Sequence, residues 1–176
     1  GIPRSIFLSE HRYEASLSSE VSLNESPRAY LTAAIKYTGS QALLAGPVDV
    51  YYGPDFGGTS RHPMVSARET YDLNLGRDPD IEISRQDGEY ETTEGLFGGK
   101  RAVRRTIEFT IHNRRPYEIA MVLYGAIPRS ADDRISIENV TVRPEPVDRD
   151  DNGIVKFKLS LKAGQKESVH LEYQLI

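Results

Sequence analysis

The chain has 176 residues, 38% of them hydrophobic and 27% charged, and its 22 basic against 26 acidic side chains leave a net charge of -4. A chain of this length can bury a core without metal or disulfide staples, and having no cysteine it excludes a disulfide scaffold, a thiolate zinc site, an iron–sulfur cluster and a cysteine nucleophile. The acidic balance argues against general nucleic-acid binding, and no apolar run approaches the ~18 residues that span a bilayer, so membrane insertion is not expected.

Residues 1–27 are Ser-rich and weakly patterned, and read as an extended lead-in or an edge strand. From there the dominant period is two, the mark of strands with one buried face. Leu31, Ala33, Ile35 and Tyr37 alternate with smaller or polar residues, and Tyr71, Leu73 and Leu75 repeat the pattern. A polar stretch from Gln86 to Lys100, ending in Gly95-Leu96-Phe97-Gly98-Gly99, marks the expected boundary between a β block over 28–95 and a second over 101–176. In the second block Val103, Ile107, Phe109 and Ile111 form one face, with Arg105 as a polar intruder. Asn113-Arg114-Arg115-Pro116 divides that strand from Ile119–Tyr124, which is apolar on both sides and reads as a central strand. Around Ile135 to Val142 the inward set switches from odd to even positions, which a bulge near Glu138-Asn139 accounts for. Asp151-Asn152-Gly153 supplies a tight turn before Val155, Phe157, Leu159 and Leu161. Ala163-Gly164-Gln165 suggests a terminal hairpin with Val169, Leu171, Tyr173 and Leu175. The fold expected is all-β: an immunoglobulin-like antiparallel sandwich in the C-terminal half, packed with a second, less complete β block.

Constellations that carry chemistry are thin. Asp148, Asp150, Asn152 and Gly153 open like a calcium loop, but its twelfth position holds Leu159 and its ninth Lys156, so a solvated turn is the better reading. His11, His62, His112 and His170 lack metal-ligand spacing. Gly57-Gly58 and Gly98-Gly99-Lys100 fail the phosphate-loop pattern and read as turns. No G-x-S-x-G elbow is present, and acids such as Asp132-Asp133 read as solvated. Neither a cofactor, a metal nor a catalytic residue is expected. The segment Lys100–Arg115 is basic, with Arg104 and Arg105 on opposite faces of one strand; these two and the glycine-flanked Phe97 are the candidate contacts for a protein partner. Ten tyrosines in a chain without tryptophan prompt an alternative, carbohydrate binding through Tyr51, Tyr52, Tyr90 and Tyr117.

Several strings then fall in a familiar order. Leu43–Pro79 is followed by Gly95–Arg101 and by IEFTIHNRRPYEI, AIPRSADDRISIENV and DRDDNGIVKFKLSLKAGQKESVHLEYQL. Together they resemble the C-terminal domain of the mucoidy inhibitor A family, a domain of unknown function, from about Tyr30 to the end of the chain. Phe157 stands where that family often has Trp, and Gly125 where it often has Asp. The resemblance implies a longer bacterial parent with a further N-terminal domain and a coiled coil that sets assembly. It implies no catalytic residues. The function expected is a non-enzymatic interaction or scaffold module with a protein partner.

Overall fold

The structure is a computed structural model that describes residues 10–24, 26–93, 101–130 and 134–176, and its regular elements are all strands. In chain order these are β1 (Ala15–Leu23), β2 (Arg28–Lys36), β3 (Gly46–Tyr52), β4 (Asp55–His62), β5 (Thr70–Arg77) and β6 (Ile81–Thr93). They continue with β7 (Arg101–Asn113), β8 (Ile119–Ala126), β9 (Ile137–Arg143), β10 (Asp148–Arg149), β11 (Ile154–Leu161) and β12 (Lys166–Leu175). A first sheet has the order β10-β11-β8-β1-β2-β5 and a second the order β6-β7-β12-β9, while β3 and β4 form a separate hairpin.

Period-two patterning makes each large sheet half apolar, and the two apolar faces share one core. In the first sheet the inward row Ala29, Val21, Leu123 and Phe157 runs straight across four strands. The second sheet contributes Ile81, Phe109, Ile111 and Val169 to the same cluster. Phe157, Leu31, Ile111, Met121, Leu123 and Leu161 are essentially inaccessible. Each such side chain contributes about 1.5–3 kcal/mol relative to remaining exposed.

Several expectations need correction. Residues 15–23 are neither a lead-in nor an edge: β1 lies between β8 and β2, parallel to β8 and antiparallel to β2. Its serines occupy the solvent face, apart from the buried Ser19, while Val21 and Leu23 enter the core. The described residues on either side of the expected boundary belong to one sheet, because Gln86–Thr93 pairs residue for residue with Arg101–Glu108. Residues 101–176 supply strands to both sheets, yet β1, β2 and β5 complete one and β6 the other. Ala163-Gly164 does not close a hairpin: β11 pairs with β8, and β12 with β7 and β9, so the chain there crosses between sheets. β8 is central, but its outer face is uncovered, with Ala120 exposed and the Tyr124 ring half-buried beneath Lys156 Nζ. The bulge expected near Glu138-Asn139 is present: Asn139 and Val140 together lie opposite Tyr173 alone, and Asn139 takes a φ of 52°.

Candidate functional site: the outer hairpin and the open end of the sandwich

The basic strand is not a single patch. Alternation puts Arg104 on the outer face of the second sheet, where its Nη2 lies 2.7 Å from Glu172 Oε1. That hydrogen bond raises the Arg104 pKa and lowers that of Glu172. Arg105 is on the inner face, paired across the strands with Glu89 at 2.9 Å. A hydrogen bond to Tyr173, with the charge of Glu89, raises its pKa above the ordinary guanidinium value. Each arginine is thus committed to a carboxylate on its own side of the sheet. Phe97, with the glycines and Lys100 beside it, lies outside the described residues, as do Asp132 and Asp133.

Arg115 has a structural role that sequence reading missed. Its guanidinium makes two hydrogen bonds to the Asp78 carboxylate, at 2.8 and 3.1 Å, with both side chains buried. Burial alone would lower its pKa, but the Asp78 hydrogen bond and charge outweigh this and hold it raised. Beside it, the buried Asn113 Nδ2 donates to the carbonyls of Tyr117, Leu161 and Lys162, at 2.8, 3.0 and 3.0 Å. These groups tie the β5–β6 link, the β7–β8 loop and the end of β11 together. The available signal was polar residues at strand ends beside prolines, in Arg77-Asp78-Pro79 and Arg114-Arg115-Pro116.

The tyrosines do not form one platform. Tyr90 and Tyr117 are exposed on β6 and the β7–β8 loop. Tyr52 points inward, donates its hydroxyl to the Leu75 carbonyl at 2.8 Å, and has its pKa raised by burial and by the nearby Asp78 charge. Tyr51, the next residue, faces outward by alternation.

That alternation builds an exposed surface on the β3–β4 hairpin. The turn is Gly53-Pro54, and Gly57 forms a bulge in β4 rather than a turn, so Tyr51 comes opposite Phe56. The two rings meet edge to face at 5.4 Å and are 60% and 59% exposed. At the other end, beside the Leu43–Val65 bridge, Leu44 and Met64 are also exposed. The hairpin is anchored from beneath by buried Val50 and by Tyr52, whose ring fills the space that a Cβ on Gly57 would occupy, at 2.5 Å.

The second feature is a cavity of about 380 Å³ between the sheets. Leu23, Gly125 and Val155 form the inward row of the first sheet at this end, facing Ile107 and Leu171 of the second. Arg85 and Arg105 contribute to its lining.

The remaining motifs resolve into local structure. Asp150 Oδ1 accepts from the backbone N–H groups of Asn152 and Ile154, making the turn before β11. His112 and His170 lie beside Glu82 and Glu172, and His62 Nδ1 contacts the Pro63 carbonyl. Among the described residues no three His, Asp or Glu side chains gather as metal ligands would.

Comparison with known families decides the affiliation. The family described as "Domain of unknown function (DUF4139)" matches residues 8–175. The chain belongs to that family. No curated protein and no solved structure matches it significantly.

Proposed function

We propose that this DUF4139 domain is a non-enzymatic interaction and scaffold module, and that it meets a protein partner through the β3–β4 hairpin. The observation that carries this reading is the paired exposed rings of Tyr51 and Phe56 on a hairpin that stands outside both sheets. Exposed aromatic residues on a rigid support are the side chains that dominate protein interfaces. The support is rigid because Val50 and Tyr52 hold the hairpin down from its other face. Arg104 and Arg105 are weaker anchors, since each already shares its charge with a carboxylate of its own sheet, Glu172 or Glu89. The resemblance to mucoidy inhibitor A supports placing this module at the C-terminal end of a longer bacterial protein, where a coiled coil sets assembly.

A double variant, Tyr51→Ala with Phe56→Ala, tests the reading. Both side chains are mostly exposed, so the melting temperature should stay within a few degrees of the wild type. Proteins cross-linked to the wild type in lysate of the native host should be lost with the variant. Retention of the same partners by a folded variant would overturn the hairpin as the contact surface.

A further inference from the structure

We propose that the open end of the sandwich binds a single-chain amphiphile with an anionic head, of the fatty-carboxylate class. The first sheet lines the cavity with the inward row Leu23–Gly125–Val155, in which Gly125 presents no side chain between two core residues that are themselves buried. A Cβ at this position would lie 3.3 Å from Val155 Cγ2 and 3.8 Å from Leu23 Cβ. The opposing sheet does not fill the gap: Ile107 and Leu171 line it, with Phe109 and Phe157 deeper in the core. At about 380 Å³ the space falls within the range of small-molecule sites, which are mostly apolar with a few placed polar groups.

Beside the polar Asn24 and Tyr173, the charged groups of the lining are all cationic. That charged lining is Arg85 and Arg105, whose acidic partners Asp87 and Glu89, at 2.7 and 2.9 Å, line the adjoining recess instead. The Arg85 guanidinium lies over the Phe109 ring, 5.6 Å from its centroid, which places cationic charge directly against the apolar interior. Arg105 engages Glu89 through Nε and Nη2 and also bonds Tyr173, which lines the same cavity. A guanidinium has five donors and can hold a second carboxylate alongside the first. An apolar recess with cations at its edge complements a tail and an anionic head, and disfavours a cationic one.

Calorimetric titration of dodecanoate into the intact chain tests the site, with dodecyltrimethylammonium as a cation carrying the same tail. Dodecanoate should bind saturably at one equivalent, and the cation at least tenfold more weakly. Arg105→Gln should weaken dodecanoate about tenfold, the effect of losing a hydrogen bond to a charged group. Gly125→Leu should abolish binding, because its side chain displaces Val155 and occupies the cavity that both residues line. If that variant does not fold, methyl chemical shifts of the wild type serve instead, and dodecanoate should move Val155 and Leu171. Equal binding of both amphiphiles, failure to saturate, or affinity unchanged by Arg105→Gln would overturn the proposal, as would shifts confined to the hairpin. The Tyr51→Ala/Phe56→Ala variant should bind dodecanoate like the wild type, so this site and the hairpin surface fail independently.

Discussion

Asp78, Asn113 and Arg115 show how much a few buried polar groups decide. Each lies at a strand end, where the chain must leave one sheet and enter the other, and where backbone carbonyls would otherwise be buried without donors. Asn113 supplies a donor to three of them, while Asp78 and Arg115 bring one acceptor pair and one donor fork into register. Removing one member of a buried ion pair leaves an uncompensated charge, which typically costs about 3–5 kcal/mol. Asp78→Ala and Arg115→Ala should each lower stability by that amount in urea denaturation. A joint Asp78→Leu/Arg115→Met exchange should cost less than the sum, because neither charge is then stranded. The residue types were visible in sequence, but not their pairing. Asp78 and Arg115 are 37 positions apart, and no local rule joins them.

Among the elements, bulges set where side chains point. In β4 the extra residue Gly57 brings Tyr51 opposite Phe56, and in β5 an extra residue near Leu75-Gly76 gives Gly76 a φ of 92°. The Leu75 carbonyl at that bulge is the acceptor for Tyr52, so one irregularity anchors the hairpin that the other shapes. In β9 the bulge puts Asn139 in the left-handed region at φ 52°, a conformation Asn tolerates and β-branched residues resist. Asn139→Val should therefore destabilise the protein by about 1–2 kcal/mol, and Asn139→Gly by only a few tenths, measured by thermal unfolding. The β9 bulge was readable because it switches the inward set from odd to even positions within one strand. Those in β4 and β5 were not, because glycine breaks the apolar pattern at the positions where a switch would show.

For the whole molecule, the strands of the two halves are interleaved. The first sheet takes β1, β2 and β5 from one half and β8, β10 and β11 from the other; the second takes β6 from the first half and β7, β9 and β12 from the second. Neither half can cover its own core: without β1 the inward row loses Val21 and Leu23 and exposes an edge of β8. Residues 101–176 expressed alone should thus lack the near-ultraviolet signal of packed tyrosines, and the full chain should unfold in one transition. An independently folded fragment would show that the second half is a domain in its own right.

What the sequence by itself determined is the strand-forming pattern, and with it the all-β class, the inward set of most strands and the opposite facing of Arg104 and Arg105. These follow from a side-chain period of two, which is a property of the backbone and requires no partner. The tertiary structure alone decided which strands are neighbours. It set β1 parallel to β8, sent β11 and β12 into different sheets, joined Asp78 to Arg115, and left a cavity between the sheets beside Gly125. Each of these depends on contacts between residues far apart in the chain, and an alternating pattern says which face is buried without saying against what.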